Sequence, residues 1–386
     1  MVEPKPILIV GAGLAGCLMA IELGRLGYRV VVFEKRPQDG NSLAPHRSIN
    51  LALAPTTLDL LRQSARLGSE LEAIATPLQG RVLHRIVGKS IFQPYAKTAS
   101  QATLLNPVTG AVSVSRTELN AVLRSAAAEH SNVESRFGQK VVACDPRRAR
   151  LEIEDSRHRT SRVEGEIVIA ADGAHSLIRR LMTAGKPPRV RENRAMSKHC
   201  YKELVFAPAS SRAMRKNALH IWPRSGFLLM ALPNCDGTFR GGIFLRKEGR
   251  PSFSTLKSEA TIRRFFEENF PDALSHIIDL GGQFATNPVN SLISVQCDSW
   301  HIGRTILIGD ACHTLYPFSG QGANLALEDC VLLRQCIEQC GPNWQRAFSL
   351  FTESRKPKID SLCAANRVLS TFVLNALPQD GILGYI

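Results

Sequence analysis

The chain has 386 residues, room for two or three domains or for one large α/β unit carrying an inserted sheet. Hydrophobic residues make up 44% and charged residues 21%, which excludes a disordered chain, a collagen and a membrane-embedded bundle. Lysine and arginine outnumber the acids 48 to 34, and the basic residues are scattered without interleaved aromatics (Arg147, Arg148, Arg157, Arg159, Arg179, Arg180, Arg189, Arg191, Arg194), so nucleic acid is not the expected partner.

Ile7 to Val10 is a short apolar run suited to a buried parallel strand. Gly11-Ala12-Gly13-Leu14-Ala15-Gly16 follows, then a helical pattern through Leu26, stopped by Gly27. A β-branched run from Val30 to Phe33 closes on Glu34, completing a βαβ unit. Two later apolar strands, Ile167 to Ala171 and Thr305 to Ile308, each end on an acid at a turn, Asp172-Gly173 and Gly309-Asp310. Between them, from about Lys198 to Gln296, short strand-like runs (Leu219 to Trp222, Phe227 to Leu232, Phe239 to Leu245) predict an antiparallel sheet. Ala323 to Gln339 is helical, and a last helix from about Asn343 to Leu377 is expected to be interrupted at Pro357.

The glycine spacing has a chemical reason. Gly11 permits a tight turn, Gly13 lets the backbone approach a pyrophosphate, and Gly16 lets helix and strand pack closely. The helix N-terminus offers amide donors and a partial positive charge to the phosphates, and Glu34 is placed to accept from a ribose hydroxyl. A second complete fingerprint is absent, so one dinucleotide is bound permanently. Ten cysteines form no CxxC pair and no zinc spacing, and Cys17, Cys330 and Cys336 sit in apolar helical patterns. They read as reduced core residues of a cytoplasmic protein without a metal site. Met1 to Pro6 leads into a strand with no apolar signal region, and no apolar run reaches the roughly 18 residues of a membrane span, so any membrane contact is expected to be peripheral.

Together, the glycine loop, Ala171-Asp172-Gly173, and Gly309-Asp310-Ala311 with Pro317 and Gly320-Gln321-Gly322 resemble the three signatures of single-component FAD-dependent aromatic hydroxylases. The likeness extends over nearly the whole chain. Arg47-Ser48-Ile49-Asn50-Leu51-Ala52-Leu53, Tyr201-Lys202-Glu203-Leu204, His220-Ile221-Trp222-Pro223-Arg224 and Ala231-Leu232-Pro233-Asn234 are similar to the branch that hydroxylates kynurenine.

The resemblance implies an α/β fold, with a Rossmann-like FAD-binding domain, an inserted antiparallel β-sheet substrate domain and a C-terminal helical segment. The expected division is 1–75 for the FAD-binding βαβ unit and following helix, 76–110 for strands of the substrate sheet, and 111–185 for the FAD-binding domain again. Residues 186–297 then form the antiparallel substrate domain, 298–340 return to FAD, and 341–386 are C-terminal helices. It implies a small aromatic amino acid as substrate, held at its carboxylate by Arg81 and Tyr95, with Asn366 also in the pocket. The FAD contacts it implies are Gly11, Gly13, Leu14, Ala15, Gly16, Glu34, Lys35, Arg36, Ala52, Arg116, Asp172, Asp310, Gly322, Ala323 and Asn324.

The implied reaction consumes NADPH as a transient co-substrate and O2, and places the hydroxyl at the 3-position of the ring by way of a C4a-hydroperoxyflavin. An aniline ring is electron-rich enough to need no side-chain base, so no catalytic acid or base is expected, and His313 reads as structural. Three residues depart from the family pattern: Ser319 and Ala323 are smaller than usual, and Leu369 stands where a glutamate is customary. They support an alternative, a hydroxylase of the same fold acting on another aromatic acid or a substituted kynurenine. A non-catalytic FAD-bound scaffold is the remoter alternative.

Overall fold

The opening apolar run becomes the centre of a sheet. A computed structural model describes residues 4–38, 49–97, 110–184, 190–208 and 214–375; Arg47, Ser48 and Arg189 lie outside them. Ile7–Val10 is buried throughout and pairs in parallel with Val30–Glu34 on one side and Val168–Ala170 on the other. Thr305–Leu307 and Val133–Phe137 extend the sheet in parallel, and only the edge strand His301–Ile302 is antiparallel. Four neighbouring strands therefore deliver Asp310, Asp172, the glycine loop and Glu34 to the same carboxyl edge, where open α/β sheets bind their ligands.

The second large sheet has eight strands in the order His313–Thr314, Asn290–Cys297, Glu192–Phe206, Phe239–Arg246, Phe227–Pro233, Ala218–Arg224, Gly80–Leu83 and Ile91–Pro94. It is not antiparallel throughout. Gly80–Leu83 runs parallel to Ala218–Arg224, a pairing that a long excursion of the chain between them allows. Period-two alternation separates its faces. Leu228 and Met230 point to one side with Tyr201, Phe244, Tyr316 and Phe318, and Leu232 joins Leu219, Tyr95 and Ala52 there. Phe227, Leu229 and Ala231 point to the other side, against Trp222, Phe239 and the helix Glu259–Asn269. The first face looks toward the cofactor-binding edge, because Ala52, Tyr316 and Phe318 belong to the segments that border it.

Two smaller sheets were not expected. Asn50–Leu53 and Ala75–Pro77 flank Val112–Ser115, and Lys140–Asp145, Arg150–Glu154 and Thr160–Glu164 form an antiparallel meander. The final helix also differs from expectation, running unbroken from Trp344 to Asn375 with Pro357 inside it. Phe348, Phe351, Arg355, Ile359, Cys363 and Asn366 recur every three or four residues on its buried side. Their burial outweighs the roughly 3 kcal/mol that an internal proline costs. Among the described residues, no helix is long and apolar enough to cross a membrane. Cys17, Cys330 and Cys336 are buried free thiols, while Cys235 is exposed.

The family-like stretch around His220 serves the far face. His220 Nδ1 meets His84 Nε2 at 2.8 Å, His84 Nδ1 meets Asp272 Oδ2 at 2.7 Å, and Trp222 Nε1 donates to the same oxygen at 2.9 Å. Lys202 is likewise buried on that side, where its ammonium donates to the carbonyls of Phe284 and Asn287 at a helix C-terminus. Burial pulls His220 down from 6.5 to about 4, so the folded chain binds fewer protons there than the unfolded one. Its contribution is therefore complete above pH 6.5 and lost as pH falls toward 4, a difference of up to roughly 3 kcal/mol. His220→Gln should flatten that part of the acid stability profile, read by urea unfolding at pH 7 and pH 4.5. An unchanged difference between the two pH values would place the acid sensitivity elsewhere.

Candidate active site

The glycine loop divides into positions that pack and positions that leave room. A Cβ on Gly16 would lie 1.8 Å from the Gly11 carbonyl oxygen, and one on Gly11 would lie 2.6 Å from the Ala171 oxygen, at a φ of +100°. Both must be glycine for the protein to close on itself. A Cβ on Gly13, Gly173 or Gly322, by contrast, would meet nothing within 4 Å among the described residues. This open space lies before the helices Leu14–Arg25 and Gly322–Cys340. Neither helix has a side-chain cap or an acid in its first turn, so their leading amides are free to face an anion. Leu14, Ala15 and Ala323 belong to these first turns.

The acids at the edge have distinct tasks. Glu34 is buried, which alone would raise its pKa, but hydrogen bonds from the side chain and amide of Arg36 and from the amide of Ala12 hold it below the usual carboxylate range. Its oxygens accept from Ala12 N at 2.9 Å and from Arg36 N, Nε and Nη2 at 3.0, 2.9 and 3.1 Å. All four lone-pair positions are engaged, so a ribose hydroxyl would have to displace one bond to Arg36. Lys35 beside them is exposed.

Asp172 caps the helix Leu177–Thr183 with one oxygen, at 2.7 Å from Leu177 N, while its buried Oδ1 has no partner among the described residues. Burial raises its pKa, and raises that of Asp310 too, where Arg116 opposes the rise. Arg116 is exposed at the start of the helix Arg116–Ala128. Asn324 joins three segments: it accepts from Ala54 N at 2.9 Å and donates to Ala52 O at 3.0 Å and Gly320 O at 2.9 Å. Open glycines and two uncapped helix starts suit the pyrophosphate of FAD, and the unpartnered Asp172 oxygen is an acceptor suited to one of its hydroxyls.

Arg81 and Tyr95 come together on the inner face of the large sheet, both buried. Arg81 stands opposite Leu219 and Gln93 in the strand register, and its Nε donates to Gln93 Oε1 at 2.7 Å. Burial lowers the guanidinium to about 10, opposed by Tyr95, and raises the Tyr95 phenol to about 12, opposed by Arg81. Asn366 is buried as well, but faces the loop before the Gly322 helix. Its Oδ1 accepts from Tyr316 N at 2.9 Å, and its Nδ2 donates to Tyr316 O and Ser319 Oγ, both at 3.0 Å. One acceptor lone pair is left over.

Sequence reasoning missed two residues here. Arg179, counted among the scattered surface cations, is 1% exposed. It donates to Glu192 Oε2 at 2.7 Å, to Ala311 O at 2.8 Å and to Ala174 O at 2.8 Å, joining the Asp172 and Asp310 turns. Asp329 is the other, wholly buried under Gly309. Cys312, His313 and Asp329 bring three potential metal donors within 4.8 Å. Asp329 is already ion-paired with Arg355 at 2.8 Å, and the Cys312 thiol donates to Gly309 O at 3.4 Å, so a cation would have to sit against a guanidinium.

A dinucleotide cradle roofed by an apolar sheet face, with a buried arginine set into that roof, is the architecture of flavin-dependent monooxygenases. The family described as "FAD binding domain" matches residues 5–339. The kynurenine 3-monooxygenase of Myxococcus xanthus is 38% identical over 374 residues, spanning 95% of this chain and 77% of that protein. That of Legionella pneumophila is 35% identical over 93% of this chain and 78% of its own length, and that of Dictyostelium discoideum 36% over 86% and 70%. The chain belongs to the kynurenine 3-monooxygenase family. Its fold is shared with 2-methyl-3-hydroxypyridine-5-carboxylic acid oxygenase, at a TM-score of 0.76 and 19% identity over 97% of this chain and 94% of that one. A tetracycline destructase has a TM-score of 0.70, with 19% identity over 99% of this chain and 94% of its own.

Proposed function

We propose that the protein hydroxylates the aromatic ring of L-kynurenine, or of a close derivative, at the 3-position, using FAD, NADPH and O2. The observation that carries this reading is the buried Arg81 and Tyr95 pair on the sheet face that looks toward the cofactor edge. A guanidinium removed from water binds a carboxylate far more strongly than an exposed one, and the phenol supplies a second donor. Gln93 holds the guanidinium edge at Nε.

Held at the glycine loop and at the start of the Gly322 helix, FAD would supply the redox chemistry, accepting reducing equivalents from NADPH and activating O2. The side chains position and exclude. Leu219, Met230, Leu232, Phe244 and Phe318 line the inner face and keep water from the reacting atoms. The aniline nitrogen feeds electron density into the ring, so no side chain is needed as a base.

Arg81→Met should raise the KM for kynurenine roughly 10- to 100-fold, the equivalent of about 1.5–3 kcal/mol for a charge-assisted pair, with FAD content intact. Tyr95→Phe should have a smaller effect, about fivefold. NADPH consumption and product mass across kynurenine, substituted kynurenines, anthranilate and hydroxybenzoates test the reading. Absence of a mass gain of one oxygen on any kynurenine would overturn it.

A further inference from the structure

The segment from Gly309 to Gly320 leaves the parallel sheet at Asp310 and arrives at the Gly322 helix, with Gly309 beside Ala15 of the glycine loop at one end and Gly320 beside Ala52 at the other. It has little regular structure of its own: two short 3-10 turns, a two-residue strand, and glycines at φ +57° and +64° at its ends. Side chains hold it, and both ends are tied to the final helix. At the start, Asp329 Oδ2 accepts from Gly309 N at 3.0 Å and meets His313 Nε2 at 2.6 Å, while Oδ1 accepts from Arg355 Nε at 2.8 Å. Arg355 also reaches Leu325 O at 3.1 Å and Glu328 at 2.9 Å. At the far end Asn366 makes its three bonds to Tyr316 and Ser319. Arg355 and Asn366 lie on one helix, about 16 Å apart at 1.5 Å per residue.

His313, Asp329, Arg355 and Asn366 are each at most 3% exposed. A buried set of charges is a weak stabiliser compared with apolar side chains of the same volume, because desolvation consumes most of its Coulomb energy. What it supplies is a fixed geometry. We propose that the final helix acts as a ruler for the flavin: Asn366 and the Arg355, Asp329 and His313 set are positioning residues. They fix the two ends of the 309–320 segment, and through it set flavin affinity and the retention of oxygen for the substrate. This rests on FAD binding and not on which aromatic acid is hydroxylated.

The test uses His313→Leu at one end and Asn366→Ala at the other, with FAD titrated into apo-protein well below its unfolding temperature. Each variant should raise the FAD Kd roughly tenfold, blur the fine structure of the bound flavin band near 450 nm, and increase the share of NADPH that ends as H2O2. Should Asn366→Ala fail to fold, Ser319→Ala removes only one of its bonds and should raise the Kd about threefold. FAD Kd and band shape unchanged in the variants would overturn the proposal. So would a rise in the KM for kynurenine alone in Asn366→Ala, which would make Asn366 a direct substrate contact. Flavin affinity and band shape decide the matter even if the parent protein leaves kynurenine untouched.

Discussion

Gly13→Val gives a folded, colourless protein. The backbone at Gly13 has a φ of −77°, open to any residue, and a Cβ there meets no protein atom within 4 Å. Among the described residues nothing stands in the way of that Cβ, so the side chain obstructs a ligand lying on the helix N-terminus: flavin affinity should fall by more than 100-fold while the circular dichroism spectrum and unfolding temperature of the apo-protein stay put. Gly16→Ala is the contrast. Its Cβ would lie 1.8 Å from a backbone oxygen, so that variant should fail to fold. Absorbance at 450 nm against 280 nm reads the outcome, and stoichiometric FAD in Gly13→Val would remove the pyrophosphate from this loop.

Arg179→Met should be the most damaging substitution outside the glycine loop. It removes the guanidinium that joins the Asp172 turn, the Asp310 turn and Glu192, leaving two carbonyls and a partly buried carboxylate without their donor. Breaking a buried pair at one partner costs about 3–5 kcal/mol, and the partial exposure of Glu192 puts the expected loss near the lower figure. Thermal unfolding should shift down by roughly 4 °C. Arg179→Lys should recover only part of this, since a single ammonium cannot reproduce a three-way planar contact. A shift within 1 °C for Arg179→Met would mean that neighbouring groups already brace the two turns.

What could be read in advance was whatever local chemistry dictates. Strand, glycine turn and helix follow one another at Ile7 to Arg25 because buried parallel strands are continuously apolar and only glycine tolerates the contacts around Gly11 and Gly16. The acids at 34, 172 and 310 stood out because each ends such a strand. Arg179 could not be told from Arg180 beside it, since one helical step separates a buried position from an exposed one. Asp329 and Arg355 meet across 26 residues and two helices, a pairing that no spacing rule reveals. The Lys140 to Glu164 meander escaped notice because its two outer strands alternate weakly, leaving only the short Arg150–Glu154 with a clear alternation. Pro357 misled because helix propensity is local, whereas the packing that overrides it comes from the rest of the fold.

The two uncapped helix starts have one more consequence. Ala15 in the first turn of one helix and Ala326 near the start of the other both pack around Gly309, so two partial positive charges are held close together at the sheet edge. Without an anion between them they repel, which weakens the seam they flank. Flavin supply is then coupled to survival of the polypeptide: at a free FAD concentration one hundred times its Kd, occupancy adds about 2.7 kcal/mol to folding. FAD-free protein should therefore be digested faster than FAD-loaded protein by a protease that attacks the unfolded chain.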